Sequence, residues 1–293
     1  MECISPISLP RPNGLGSIDR ITVPCGRCFN CMSLKRNQWA YRIQQQLKVS
    51  YTAYFVTLTY SDDHLLGNLC KKDIQDFLKR VRKGLTNSKK NDLVNNGIRV
   101  SEKTKVSEIA SKGLNMTYYI IGEYGSKTFR PHYHGIFFNL PNDPQLMLIN
   151  HWKKGFVHVG QVNPASIKYA TKYMITKSDF PDGLVKPFML VSKGMGLSYV
   201  EKMKEWHISG ERFYAPDLGG KKVALPRYYR DKMFNKSEIH LNKLRTTIKS
   251  DRLKEVEDRI LKAKGENPDL YRFLRNKQNN ELNLKSINKT NKL

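Results

Sequence analysis

MTYYIIGE at positions 116–123 and HYHGIFFN at 132–139 decide the fold. Both stretches are dense in β-branched and aromatic residues, and a short run containing Gly, Ser, Lys and Thr separates them. That combination predicts two strands folded back on each other. Working outward, TAYFVTLTY at 52–60 reads as another strand. Residues 72–85 place Ile74, Phe77, Leu78 and Val81 on one face of a helix. Downstream, residues 144–154 read as a helix and Phe156 to Val162 as a strand. Asn163-Pro164 then supplies a cap and a first turn for a helix running to about Lys177.

The order β-α-β-β-α-β followed by a helix predicts an α+β fold. Its centre is a ferredoxin-like antiparallel sheet with the first and third strands side by side. An additional basic amphipathic helix over 32–49 carries Trp39, Ile43 and Leu47 at helical spacing. The polar stretch 86–113 reads as a surface excursion. Past residue 180 the pattern is less regular: Leu218 to Lys221 resembles a turn between strands, 226–234 a short helix and 237–263 a longer one, before a polar tail. The expected division is therefore a cysteine-cluster segment with its helix (1–50), a core (51–180), accessory strands and helix packed on the core (181–235) and a basic helical tail (236–293).

Among the 293 residues, 51 Lys and Arg against 26 Asp and Glu give 51 − 26 = +25. At 39% hydrophobic residues the chain is too apolar for a disordered polyelectrolyte. No apolar run is long enough to span a bilayer, and the start, MECISPISLPRPNG, lacks the pattern of a signal peptide. Neither a membrane nor a secreted protein is expected. An excess of cations this large calls for a polyanion, and nucleic acid is the expected partner. Five cysteines form no disulfide framework, which fits a reducing cytosol. Cys25, Cys28 and Cys31 are spaced to share one ion. They offer three ligands to a structural zinc, whose fourth would come from Cys3, Cys70, a histidine or another chain.

Chemistry concentrates in RPHYHG at 130–135. Alternation along a strand puts His132 and His134 on one face, about 7 Å apart along the backbone. Glu123 ends the preceding strand, so its carboxylate can meet both imidazoles across the hairpin. Two imidazoles and one hard oxygen suit Mg²⁺ or Mn²⁺ in contact with a phosphate. Ser61-Asp62-Asp63-His64 is an alternative source of a third ligand. In IKYATKY at 167–173, Tyr169 and Tyr173 share a helical face, with Lys168, Lys172 and Lys177 nearby.

These motifs resemble the HUH endonuclease superfamily, and more narrowly the replication initiation proteins of small single-stranded DNA phages, the microviruses and especially their gokushovirus branch. VPCGRCFNC at 23–31, FVTLTY at 55–60, GEYG at 122–125, RPHYH at 130–134 and PRYY at 226–229 carry the resemblance, which spans about 20–235. It implies a metal-dependent, site-specific nickase that starts and ends rolling-circle replication through a 5′-phosphotyrosine. His132, His134 and Glu123 match the metal ligands and Tyr169 and Tyr173 the paired nucleophiles. Lys172 would assist catalysis, while Arg130, Lys168 and Lys177 would contact nucleic acid. Implied partners are single-stranded or supercoiled phage origin DNA and a host helicase and polymerase, in the cytoplasm of the bacterial host. Two rivals stand beside this reading. One is a non-catalytic single-stranded nucleic-acid binder that stacks bases on Tyr54, Tyr118, Tyr119 and Phe137. The other is a plasmid-type HUH initiator, relaxase or transposase.

Overall fold

The computed structural model describes residues 3, 5–11, 19–95, 115–125, 128–172, 183–217 and 220–290. The chain forms two compact units, 1–205 and 206–293.

The first unit opens with a two-stranded hairpin, β1 (Ile7–Pro10) and β2 (Arg20–Val23), followed by helix α1 (Phe29–Leu47). Its central sheet is antiparallel and five-stranded. The strands are β3 (Ala53–Tyr60), β4 (Thr117–Tyr124), β5 (Pro131–Phe138), β6 (Gly155–Gln161) and β7 (Phe188–Val191), in the spatial order β6-β3-β5-β4-β7. The first and third of these strands, β3 and β5, lie side by side at the centre, as the strand pattern predicts. The short edge strand β7 is an addition; four residues without alternation give periodicity nothing to detect.

Alternation along the strands feeds two cores. Val56, Leu58, Tyr133 and Phe137 point to one face, against Phe77 and Val81 of α2 (Lys71–Asn95) and Leu148 and Trp152 of α3 (Gln145–Trp152). Tyr119, Ile121, Ile136 and Phe138 point to the other, against Ile43 of α1 and Ile167 and Ala170 of α4 (Pro164–Lys172). The expected surface excursion at 86–113 needs correction, because α2 continues to Asn95. Its last turns, TNSKKNDLVN, carry no apolar stripe, so hydrophobic periodicity does not register them as helix. Residues 96–114 lie outside the described residues.

One corner fixes where β6 begins. Gly155 has φ +147, and a Cβ there would lie 2.3 Å from both the Thr59 carbonyl oxygen and the Ser61 nitrogen. The Ser61 N–H donates to the Lys154 carbonyl at 2.9 Å and the Trp152 indole N–H to Thr59 O at 3.1 Å. Only glycine fits that backbone contact.

In the second unit, α5 (Ser198–Ser209), which begins in the first, leads to strands β8 (Tyr214–Pro216) and β9 (Lys222–Ala224). These pair on either side of the expected turn, of which Leu218 and Gly219 lie outside the described residues. Then come α6 (Arg227–Met233), α7 (Lys236–Ala263) and α8 (Pro268–Thr290). A capping box between Asn235 and Glu238 starts α7. Its end is closed by Gly265 N–H to Lys262 O and Glu266 N–H to Leu261 O, with Gly265 at φ +74. The polar tail is thus a second long helix, which Asn267 and Pro268 start. No described helix is long and apolar enough to cross a membrane.

Replacing Gly155 by alanine should lower stability by about 3 kcal/mol, since a backbone collision and an unfavourable φ combine. Denaturant unfolding of the purified chain measures this; an unchanged midpoint would contradict the tight-corner assignment.

Candidate metal and tyrosine site

The β4–β5 register sets Glu123 opposite His132 and Ile121 opposite His134. The β3–β5 register sets Thr59 opposite His132 and Thr57 opposite His134. The hairpin closes with Gly125 N–H donating to Arg130 O at 2.9 Å. Strand alternation therefore delivers Glu123, His132, His134 and Thr57 to the sheet face that α1 and α4 cover.

There the two imidazoles converge on a single oxygen. Glu123 Oε1 lies 2.8 Å from His132 Nε2 and 2.9 Å from His134 Nε2. The opposite nitrogens have partners of their own. His132 Nδ1–H donates to the Arg130 carbonyl at 3.0 Å, and His134 Nδ1 pairs with Thr57 Oγ1 at 3.0 Å. A carbonyl can only accept, so the proton on His132 Nδ1 is fixed, and in the neutral ring Nε2 carries the bare lone pair. Two such lone pairs against one carboxylate oxygen repel unless a proton or a cation lies between them. Without a cation, a proton serves. Burial pushes the His132 pKa down, but the hydrogen bond and charge of Glu123 and the Arg130 carbonyl outweigh it and raise it. Glu123 is itself only 4% exposed, and its second oxygen, Oε2, is buried without a hydrogen-bond partner among the described residues. A buried orphan oxygen is costly unless something binds it. One carboxylate and two oriented imidazoles with that oxygen to spare fit a divalent cation.

Tyr169, on α4, borders this group. Its ring stands edge-on to His134 at 5.2 Å between centroids and edge-on to Phe55 at 5.9 Å, while Phe55 stacks on His134 at 5.6 Å. At 40% exposure the tyrosine is open to solvent. The structure thus brings together the His-x-His strand, Glu123 and the first tyrosine. On the same helix Lys168 is exposed and Lys172 partly buried. Tyr173 and Lys177 lie outside the described residues.

The alternative third-ligand group sits elsewhere: Asp62 is ion-paired with Arg130, and His64 Nδ1 is 3.0 Å from Ser61 Oγ. Arg130 is thereby engaged within the chain. Thr57 and Phe55 support the site without having been singled out in the sequence; alternation along 55–60 carries the signal once the neighbouring strand is known. Cys25, Cys28 and Cys31 also come together, and Cys3 joins them. The base-stacking platform of the rival reading is corrected by burial. Tyr119 and Phe137 are 0% and 1% exposed on opposite faces of the sheet, and Tyr54 and Tyr118 pack against the core.

A central antiparallel sheet with a carboxylate–imidazole group on one face defines the class to which the comparisons point. Residues 53–179 match the family model of the ORF2-type replication-associated protein, and the chain carries a replication-associated domain of that family. Among curated proteins it is similar to Replication-associated protein ORF2 of Spiroplasma virus 4, 29% identical over 240 residues, covering 72% of this chain and 68% of that protein. Replication-associated protein VP4 of Bdellovibrio phage phiMH2K is 27% identical over 229 residues, covering 71% of this chain and 66% of the relative. Replication-associated protein ORF4 of Chlamydia phage 1 is 22% identical over 236 residues, covering 71% and 53%. No solved structure matches. The resemblance to microvirus replication proteins is borne out.

Mn²⁺ binding followed by calorimetry should weaken as pH falls through the raised His132 pKa, because the ion displaces the proton held there. Thr57→Val, which frees the far nitrogen of His134, should weaken binding by about 10-fold. Binding that is indifferent to both would place the ion elsewhere.

Proposed function

We propose that this chain is a metal-dependent endonuclease that nicks one strand of a phage origin through tyrosine and so initiates rolling-circle replication. The observation that carries the proposal is the edge-on approach of Tyr169 to His134, on the same sheet face as Glu123 and His132. The strand order β6-β3-β5-β4 supports reading the core as the ferredoxin-like arrangement of HUH endonucleases. The relatives named for replication support the biological setting.

Glu123, His132 and His134 would hold Mg²⁺ or Mn²⁺, and a bound ion would supply Lewis-acid polarisation of the scissile phosphate and neutralise its developing charge. Tyr169 Oη attacks phosphorus and gives up its proton. The bond from phosphorus to the 3′ oxygen breaks, that oxygen takes a proton, and the 5′ phosphate stays on the tyrosine. The phosphodiester bond energy is conserved in the phosphotyrosine, so resealing requires no nucleotide. Tyr173 is the proposed second nucleophile, cleaving the regenerated origin after one round of synthesis. The new 3′-OH then attacks the first phosphotyrosine, displaces the phenol and closes a circle. Lys172 and Lys168 offer positive charge beside the phosphate, with Lys177 and Arg130 as further backbone contacts. Segment 51–180 would carry this chemistry and 181–293 would extend DNA contact through its cationic side chains. Host helicase and polymerase would act on the exposed 3′ end, inside the bacterial host.

Supercoiled DNA bearing the phage origin, incubated with the chain and Mn²⁺, should be relaxed and become covalently attached to protein. The Tyr169→Phe, Tyr173→Phe double variant should lose the adduct entirely; an adduct that persists assigns the nucleophile elsewhere. His132→Ala should lose nicking by about 100-fold or more while keeping most DNA affinity, which comes from phosphate contacts. Parallel loss of both would make the histidine structural.

A further inference from the structure

The four sulfurs of Cys3, Cys25, Cys28 and Cys31 all lie within 4.8 Å of one another, and Cys3 Sγ is 3.8 Å from Cys28 Sγ. Neither a disulfide nor loose packing accounts for that spacing. A disulfide would bring two sulfurs to about 2.05 Å, and no disulfide joins any of the four. Around a zinc ion with Zn–S near 2.3 Å, a tetrahedron of sulfurs has edges of about 3.8 Å. An iron–sulfur cluster holds its cysteine sulfurs farther apart than a single ion does. We propose that these four cysteines form a structural Zn²⁺ site that ties the N-terminal hairpin to the start of α1.

The backbone around the cluster is arranged for thiolates. Cys25 N–H donates to Cys3 Sγ at 3.2 Å, and Cys28 N–H donates to Cys25 Sγ at 3.2 Å. Backbone donors aimed at sulfur favour its anionic, ligating form. Gly26, at φ +71 with nothing near its absent Cβ, lets the chain turn between Cys25 and Cys28 so that both sulfurs face one point. Cys28 occupies the N-cap position of α1 but makes no side-chain cap bond.

The placement supplies a reason for the site. β1 is exposed along its whole length and β2 at alternate residues, with Ile7 and Leu9 among the exposed apolar side chains. A two-stranded ribbon without a buried face is marginal in water. Cys3 stands just before β1, Cys25 just after β2, and Cys28 and Cys31 at the first turn of α1. One ion therefore joins both ends of the ribbon to the helix that lines the face bearing the Glu123 site. On binding, each thiol surrenders its proton to solvent and the ion gains four thiolate ligands. This inference is independent of the nickase reading, since none of its ligands belongs to the Glu123–His132–His134 group.

The test uses the purified full chain. Metal analysis after dialysis against a weak chelator should find one zinc per chain. Co²⁺ exchanged into the protein should give the intense thiolate-to-cobalt absorption of a tetrahedral sulfur site. A thiol reagent should modify only Cys70 of the five cysteines at first, and all five after zinc is stripped. Cys3→Ser should lose the ion, whereas Cys70→Ser and His132→Ala should keep it. Absence of zinc, five equally reactive thiols, a disulfide among the four, or loss of zinc with His132→Ala would each overturn the proposal. Because the cobalt spectrum and the thiol titration use the wild-type chain, the conclusion does not depend on a variant that folds.

Discussion

Glu123 and His132 face each other across two neighbouring strands, and His134, one alternation further along, turns to the same carboxylate oxygen. Charge balance at that point constrains everything around it. The strand register must be held to the residue, because a slip of one would send both imidazoles into the opposite core. The hairpin turn, the central position of β5 between β3 and β4, and the glycine corner that sets β6 against β3 all act to hold it. Outer partners complete the constraint: the Arg130 carbonyl and the Thr57 hydroxyl orient the rings so that their far nitrogens converge. A polar group of this kind, buried in a sheet that elsewhere packs aromatic and aliphatic side chains, is justified by what it binds rather than by what it stabilises.

Tyr169 shows how the two halves of the site depend on each other. It is held against His134 and Phe55 by α4, whose inner residues Ile167 and Ala170 are buried in the core beneath. A nucleophile placed on a packed helix and a metal group placed on a central strand keep their separation without a mobile loop. Rigid support of this kind is what a phosphoryl-transfer site needs, since most of its work is positioning and electrostatics.

Much of this was legible in the sequence, for physical reasons that differ by residue. His132 and His134 declare a common face because strands alternate, and Glu123 joins them because a short hairpin leaves few ways to pair. The strand order follows from the sequence of elements. By contrast, β7 is too short for any periodicity, and β1 and β2 bury too little to leave an apolar pattern. Cys3 appeared only as one of several possible fourth ligands, since which residue joins 25, 28 and 31 depends on a hairpin the pattern does not reveal. The second helix of the tail did announce itself, through Gly265 and Asn267-Pro268, but its Lys- and Asn-rich composition reads equally well as a solvated arm.

The most direct measurement is the paramagnetic effect of Mn²⁺ on tyrosine ring signals in the full chain, selectively labelled at tyrosine. With a fraction of an equivalent of ion, the account predicts a larger relaxation enhancement for Tyr169 than for Tyr118, which packs on the opposite face of the sheet. The enhancement should vanish in His134→Ala. Equal or weaker broadening of Tyr169 would mean that cation and phenol do not share a site, and would contradict the account at its centre.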